Sequence, residues 1–343
     1  MKRFFLAALA IIAIASCAKN EVVSVGDQPQ EVTYQTVVGP ATKAPGDGQV
    51  AFSTDNKFYA YAYFLPQGKT WTANHATSEA YIASSLIGYD GTAWKHETNT
   101  YFWPKQGSLT FFAWTDNTAA PAVNGSTILC AHDTGIQVLN YSVTDNPNKD
   151  LMVAAIAPDK TKNLTDGVPT LFSHVLSNVV FKVTTKVDYG TSPALALKSI
   201  TLKNVYVDGD YTQGSPAANA TVWNDNANTG NLPVYTPATA TAVTHSATPA
   251  ALTPDTGDYY IVMPQKFADA TPVVEVVYTI TTNYTGTDVV ETVTETKALK
   301  EIYKNGWVPG KKYELTITLA LDEILWDPAV VEWVTDSTPA TTI

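Results

Sequence analysis

The sequence predicts an all-β fold built from two β-sandwiches in tandem. Charged residues make up only 15% of the chain, against about 25% in an average globular protein, and threonine, alanine, valine and tyrosine are abundant instead. Short runs of alternating apolar and polar residues recur, each bounded by glycine, proline, asparagine or aspartate, which is typical of antiparallel strands. The runs fall into two blocks on either side of residue 164, and 343 residues suffice for two domains.

Residues 1–16 are predicted to be a lipoprotein signal peptide. Their apolar run, Phe4–Ala15, is shorter than the roughly 20 residues of a membrane-spanning helix. The tetrad 14–17, which ends in Cys17, resembles the lipobox of bacterial lipoproteins, in which the signal peptidase cuts before the cysteine and its thiol carries a diacylglycerol. The alternative is an ordinary secretory signal with a chance cysteine. Since Cys130 is the other cysteine of the chain, no disulfide is expected.

A polar leader, residues 17–48, follows the signal and contains one predicted strand. Within the stretch 31–38, Val32, Tyr34 and Val38 fall on one face, as the two-residue period of a strand requires. Prolines flank this stretch on both sides. The leader is therefore predicted to hold an isolated first strand between turn-rich connections.

The first predicted domain spans residues 49–164. Its strands are expected at 58–65, 108–114, 136–143 and 150–157. The stretch 78–87 is expected to form a short helix, and a linker is expected around 158–167.

The second predicted domain spans residues 165–343. Its strands are expected at 178–187, 198–207, 258–264, 272–282, 288–299 and 312–321. The stretch 208–257 is rich in glycine, proline, asparagine, alanine and threonine, so we expect long surface loops there, with one short strand around 220–223.

Patterns typical of enzymes and metal sites are weak in this sequence. Two Asp-Thr-Gly tripeptides, 133–135 and 255–257, match the aspartic-protease motif, but their neighbours do not fit it and turn formation explains them. The loops 145–150 and 208–210 carry oxygen ligands that would suit Ca²⁺, but neither has the spacing of a calcium loop. We therefore expect no catalytic residues and no cofactor.

Charge and aromatic content bear on two classes of partner. The net charge is −11 and Arg3 is the single arginine, so nucleic acid is not an expected partner. The eight tryptophans and 18 tyrosines could form platforms that stack on sugars. Most of them lie on alternating strand positions, where packing in the core explains them.

Four features together resemble the fimbrillin (Mfa-like/FimA-like) family of Bacteroidetes type V pilus lipoproteins. They are the lipobox, the stretch 168–183, the stretch 259–265 and the ending 307–319 with 324–333. Within 168–183, the residues in places that match the family are Phe172, His174, Leu176, Ser177 and Phe181. The resemblance covers most of the chain after the signal.

This resemblance implies a pilin with two transthyretin-like β-sandwich domains, which reaches the outer membrane through a lipid on Cys17. In the family, a trypsin-like protease removes a leader with the first strand, and a strand of the next subunit fills the groove. Other subunits are thus the expected partners. Lys43 is the expected cleavage site and Lys57 the alternative. The expected donor strand lies within 324–343, with apolar positions at Ile324, Trp326, Val331 and Trp333.

Two alternatives stay open at this point. The tail 324–343 could fold back as the last strand of its own domain, which would suit a tip or anchor subunit. The chain could also be a non-polymerising surface lipoprotein that binds glycans.

Overall fold

The computed structural model describes residues 29–39, 50–162, 164, 166–214, 222–225, 228–253, 260–321 and 324–333. Cys17, Lys43, the second Asp-Thr-Gly tripeptide and the end of the tail, 334–343, lie outside them. In the part of the chain that is described, no helix has the length and apolarity needed to cross a membrane.

Strands dominate the described residues, which confirms the predicted all-β fold. They are β1 (Tyr34–Val38), β2 (Val50–Ala51), β3 (Phe58–Leu65), β4 (Glu79–Tyr89), β5 (Trp94–His96), β6 (Ser108–Thr115), β7 (Thr127–Ala131), β8 (Gly135–Ser142), β9 (Met152–Ala154), β10 (Ala157–Lys160), β11 (Val168–His174), β12 (Ser177–Thr185), β13 (Ala194–Tyr206), β14 (Asp208–Thr212), β15 (Val222–Asp225), β16 (Thr229–Tyr235), β17 (Thr241–Val243), β18 (Ile261–Val262), β19 (Val273–Tyr284), β20 (Thr287–Ala298), β21 (Lys311–Leu319) and β22 (Ile324–Glu332). The helices are short: α1 (Trp71–Asn74), a 3-10 turn at His75–Thr77, and α2 (Leu299–Ile302).

The first sheet has the strand order β10-β6-β3-β4-β5-β1-β11-β9, with β2 beside β1. Because β6 also pairs with β9, the hydrogen-bonded strands form a closed ring. Aromatic side chains fill its interior. Phe52, Phe58, Trp94 and Phe172 are buried, and the centroids of their contacting rings lie 5.1 to 6.1 Å apart.

A smaller sheet has the order β15-β14-β8-β7 and joins strands from both sides of residue 164. Strand β8 pairs antiparallel with β14, so that Tyr141 lies opposite Gly209 and Val138 opposite Tyr211. Both tyrosines are buried. The two blocks of sequence therefore share a sheet, and the division of the chain into two tandem domains stays a prediction.

The C-terminal strands form a β-sandwich of two sheets. One sheet has the order β18-β12-β21-β22, and the other has the order β16-β13-β19-β20 with β17 beside β13. Leu315 and Ile317 of β21 and Val274 and Val276 of β19 are all fully buried and belong to one hydrophobic cluster. The inner faces of the two sheets thus meet in a common core, as sandwich packing requires.

The short helix predicted at 78–87 is wrong, because these residues belong to strand β4. Ala60 of β3 pairs with Ser85, and Ala62 pairs with Ile82, so two residues of β4 lie opposite one residue of β3. This β-bulge puts Ile82 and Ser85, three positions apart, on the buried side. The bulge therefore produces a spacing that imitates a helical period.

The stretch 208–257 contains strands β14 to β17 in its described part, so the prediction of long loops with one strand is wrong. Leu232 and Val234 alternate along β16 and are fully buried. In β14, a Cβ atom added at Gly209 would lie 2.8 Å from the carbonyl oxygen of Asn224. Glycine here thus permits the close approach of two strands, although glycine in a sequence also indicates loops.

Candidate assembly site

The first strand, β1, lies inside the first sheet and has a partner on each side. It runs parallel to β11, from Tyr34 opposite Val168 to Val38 opposite Phe172. On its other side it pairs antiparallel with β2 and β5. The predicted strand in the leader is confirmed, and it is an interior strand.

Main-chain hydrogen bonds hold residues 29–39 from both sides. On one side the Val32 amide donates to the Tyr101 carbonyl at 2.9 Å. On the other, the Val168 amide donates to the Thr33 carbonyl at 2.7 Å and the Gly39 amide donates to the Phe172 carbonyl at 3.0 Å. Removal of this segment would leave unpaired backbone groups along both walls of a slot, and such groups favour pairing with another strand.

The side chains of this segment fill an apolar trough. Val32, Tyr34 and Val38 are buried, with 0%, 4% and 1% of their surface exposed, which confirms the face predicted from alternation. The Tyr34 ring packs edge-on against Phe58 at 5.5 Å and against Phe111 at 5.9 Å between centroids. Aromatic pairs of this geometry stabilise a core beyond the burial of area alone.

A polar contact fixes the Tyr34 hydroxyl at the end of this trough. It lies 3.3 Å from Nε2 of His96, whose Nδ1 lies 2.8 Å from the Ser85 hydroxyl. Burial lowers the pKa of His96 to about 4, because desolvation disfavours the charged ring. Burial, and secondarily Tyr101, raises the pKa of Tyr34. Both groups are therefore neutral at pH 7.

Lys57, the alternative cleavage site, is held firmly in the fold. Its ammonium group lies 2.6 Å from the Glu97 carboxylate. Its amide donates to the Thr118 carbonyl at 2.9 Å, and its own carbonyl accepts from the Thr115 hydroxyl at 2.7 Å. A protease would have to break these contacts to reach the Lys57 peptide bond.

The C-terminal segment forms strand β22, which pairs antiparallel with β21 over nine positions, from Ile324 opposite Leu319 to Glu332 opposite Lys311. An ion pair joins Lys311 and Glu332. Strand β22 is the outermost strand of its sheet. Within this chain, residues 324–332 thus pair with their own domain.

Strand β22 is buried shallowly. Ile324, Trp326, Pro328 and Val330 lie opposite the inward residues of β21 and share their face. Ile324 and Trp326 are half-buried, but Pro328 is exposed and Val330 is 56% exposed.

The four apolar residues that the sequence indicated for the donor do not share a face. Ile324 and Trp326 lie on the inward face, and Val331 is two-fifths exposed on the outward one. Sequence reasoning missed Val330, which counting alternate positions from Ile324 would have found.

The residue after β22, Trp333, is buried and is the deepest side chain of the described tail. Its indole ring stacks on the His174 ring, with 4.0 Å between centroids and 6° between planes. Nδ1 of His174 lies 2.7 Å from Oδ1 of Asp150. The last described residue of the tail thus lies against the last residue of β11, which is the parallel neighbour of β1.

Known proteins resemble this chain in sequence and in fold. The sequence matches the fimbrillin-like family over residues 42–333. The chain belongs to the fimbrillin-like family. No curated protein matches it.

Solved structures resemble this fimbrillin-like chain. A fimbrial protein from Bacteroides vulgatus superposes with a TM-score of 0.59 at 17% identity, covering 89% of this chain and 100% of that one. A candidate cell adhesion protein from Bacteroides uniformis gives a TM-score of 0.49 at 16% identity, covering 89% and 98%. The tip fimbrial protein Mfa3 from Porphyromonas gingivalis gives 0.35 at 12% identity, covering 82% and 97%. At 17% identity, the first of these shows a shared fold.

Several oxygens of the loops considered for Ca²⁺ accept hydrogen bonds within this fimbrillin-like fold, while Oδ1 of Asp208 is buried without a partner among the described residues. Asn146 Oδ1 accepts from the Asn124 amide at 2.7 Å, and Asp150 contacts His174. Asp210 Oδ1 accepts from the Asn140 amide at 2.7 Å, and Asp208 Oδ2 accepts from Asn228 at 2.6 Å. Among the described residues, no three or more histidine, cysteine, aspartate or glutamate side chains are grouped as metal ligands.

The strand aromatics of this fimbrillin-like chain pack in the core, as the sequence predicts. Tyr61, Trp103 and Trp114 are buried, and Tyr59 stacks on Trp114 at 5.3 Å between centroids. These packed rings stabilise the sheets. The first Asp-Thr-Gly tripeptide, 133–135, lies in the turn between β7 and β8 and begins β8 with Gly135.

Proposed function

We propose that this fimbrillin-like chain is a structural pilin subunit of a cell-surface fimbria, assembled by protease-triggered strand exchange and serving adhesion. Membership of the family supports the fimbrial role and association with other fimbrial subunits. The proposal includes export as an outer-membrane lipoprotein, in which a lipid on Cys17 holds the chain at the membrane before processing.

The interior position of β1 carries this proposal. The strand has hydrogen-bonded neighbours on both sides, and Val32, Tyr34 and Val38 are buried. At about 1.5–3 kcal/mol for each fully buried side chain, these three contribute roughly 5–9 kcal/mol before ordering costs. A vacated slot would offer the same gross stabilisation to a strand of similar pattern from another subunit.

Cleavage at Lys43 would convert β1 from a tethered strand into a separate peptide. Lys43 lies in the connection between β1 and β2. While the connection is intact, the effective concentration of β1 at its slot is on the order of millimolar or more, so an incoming strand competes poorly. After the cut, β1 competes only through its own affinity.

The tail offers a strand that can be released at small cost. Most of β22 is exposed, and β22 has a partner on one side only. A donor from one copy and an acceptor slot on another are different surfaces, so the contact is head-to-tail and produces an open fibre.

Limited trypsin treatment of the purified mature protein tests the cleavage step. We expect trimmed protein to form ladders on unheated gels, and Lys43→Gln to abolish the ladders. Lys57→Gln is the matched control and should leave them unchanged, because Lys57 is tied into the fold. Trimmed protein that stays monomeric while it remains folded would refute assembly by strand exchange.

The donor face can be tested with two neighbouring substitutions. Val330 and Val331 are both exposed in the monomer, at 56% and 42%, so Val330→Asp and Val331→Asp should leave its stability within about 0.5 kcal/mol. The apolar face of β22 is the one with Ile324, Trp326 and Val330. We therefore expect Val330→Asp to prevent ladders and Val331→Asp to permit them. Equal ladders from both variants would exclude this face as the donor.

The pairing of β22 with β21 favours a second candidate, a tip or anchor subunit that caps the polymer. Such a subunit would keep its tail in place after trimming. It would stay monomeric alone but would bind to the end of fibres formed by another fimbrillin. Mixing trimmed protein with preformed fibres and locating it by labelling distinguishes the two roles.

A further inference from the structure

The C-terminal strand is held at its end by one deeply buried side chain. The nine residues of β22 are half-buried or exposed, whereas Trp333 directly after them is 7% exposed. Its amide makes a long hydrogen bond of 3.3 Å to the Gly310 carbonyl. The stack of the Trp333 indole on His174 is therefore a buried side-chain contact that anchors this end of the tail, beside the more exposed ion pair of Lys311 and Glu332.

The His174 ring is fixed in place to receive the indole. Its side chain is 1% exposed, and Nδ1 lies 2.7 Å from Asp150 Oδ1. Asp150 is oriented in turn by the side-chain amide of Asn117, whose Nδ2 donates to Oδ2 at 3.3 Å. This chain of contacts holds the imidazole plane parallel to the indole.

The same contact contains an unsatisfied atom. Nε2 of His174 is buried and has no hydrogen-bond partner among the described residues. A buried polar atom without a partner is unfavourable. The contact thus combines a favourable ring stack with an unfavourable buried nitrogen, so its net stabilisation is smaller than that of the stack alone.

The position of His174 links this contact to the first strand. His174 ends β11, whose residues pair with β1 up to Phe172 opposite Val38. The next residue, Ser173, donates from its hydroxyl to the Gly39 carbonyl at 2.9 Å. The end of β1 and the Trp333 ring thus both contact the three residues 172–174.

We propose that Trp333 stacked on His174 is a latch that keeps the C-terminal strand on its own domain, and that loss of β1 loosens this latch through the end of β11. The inference rests on the proposed strand exchange, because it explains how the donor stays unavailable until the leader strand is removed. Trp333 is a positioning residue in this scheme: it controls the release of β22 and does not itself have to enter the acceptor slot.

Hydrogen–deuterium exchange on the full chain tests the latch without any assembly step. In Trp333→Ala, amides of 324–332 should exchange about tenfold faster or more, while those of β19 keep their wild-type rates. Trp333→Phe keeps an aromatic ring for the stack and should lie close to wild type. Val331→Ala, two positions away and exposed, is the matched control. Exchange in Trp333→Ala within about twofold of the control would overturn the latch.

Ser173→Ala tests the link to β1 in the same chain. Ser173 is only half-buried, so this variant should fold, and it removes the hydroxyl contact with Gly39. We expect faster exchange both in 36–39 and in 324–332. Faster exchange in 36–39 alone would overturn the coupling.

Failure of the latch is distinguishable from failure of the proposed function. Exchange in the uncut monomer reports on the latch, and ladders after trimming report on strand exchange. If the latch and strand exchange are both correct, Trp333→Ala should also form ladders faster than wild type after trimming. Ladders at the wild-type rate would show that release of β22 does not limit assembly and would overturn the latch as the control point.

Discussion

Truncation of Tyr34 to alanine is the most direct test of how β1 is held. Tyr34 is 4% exposed, and its ring contacts Phe58 and Phe111 edge-on. Truncating a large buried aromatic residue costs about 3–5 kcal/mol, and the hydroxyl contact with His96 adds about 1 kcal/mol at most. We therefore expect Tyr34→Ala to lower the free energy of unfolding by about 4 kcal/mol.

The assay is urea denaturation of the full chain, with hydrogen exchange of residues 29–39 as a local measurement. Tyr34→Phe removes the hydroxyl and keeps the packing, so it should cost about 1 kcal/mol. Gln35→Ala is the control: Gln35 is the next residue of β1 and is exposed, so its loss should change stability by less than about 0.5 kcal/mol. A loss below about 1.5 kcal/mol for Tyr34→Ala, without faster exchange in 29–39, would refute tight packing of β1.

Two further predictions concern ionisable groups. Because the pKa of His96 is lowered to about 4 from 6.5, the unfolded chain binds a proton between these pH values that the folded chain does not, so stability should fall on acidification through this window. The full pKa difference corresponds to about 3 kcal/mol of unfolding free energy, and for a partly exposed ring we expect about half of that. The urea midpoint should therefore be lower at pH 4.5 than at pH 7, and this shift should be smaller in His96→Gln. The second concerns Asp116, a buried carboxylate that contacts Lys149 at 2.8 Å and accepts from the Ala122 amide and the Thr118 hydroxyl. Asp116→Ala should lower the free energy of unfolding by about 2–4 kcal/mol in the same urea denaturation. A loss below about 1 kcal/mol would show that these contacts do not stabilise the fold.

Local patterns predict the first strand well, because its burial follows from alternation alone. Val32, Tyr34 and Val38 are apolar at positions that share a face, and the structure buries all three. The parallel partner of this strand could not be predicted. Strand β11 lies more than 120 residues away, and the alternation of β1 would be the same beside any neighbour.

The errors at 78–87 and 208–257 have a different origin. In β4 a bulge shifts the alternation by one residue, and a sequence window cannot separate this shift from a helical period. In β14 a glycine permits close pairing with β15, while the same residue type elsewhere marks turns. In both places, the backbone geometry of a partner strand decides the meaning of the local sequence.

The tail shows the limit of sequence reasoning for the site itself. An apolar alternating segment pairs equally well with its own domain or with another subunit, because main-chain hydrogen bonding is the same in both. The structure assigns β22 to its own sheet and reveals two features that the pattern did not indicate. These are the exposure of Val330, which lies on an edge strand, and the burial of Trp333, which stacks on His174 at the end of β11.

The edges of the C-terminal sandwich bear on where assembly can occur. On β20, Glu295 and Glu291 lie opposite Val276 and Ile280 of β19, so these exposed charges share the inward face of the sheet where it ends in an edge strand. On β22, Pro328 has no amide hydrogen to offer to a further strand. Inward charges and edge prolines are the devices by which sheets resist edge-to-edge association. On the proposed strand exchange, edges protected in this way would direct fibre growth to the slot that β1 occupies and away from the margins of the C-terminal sandwich.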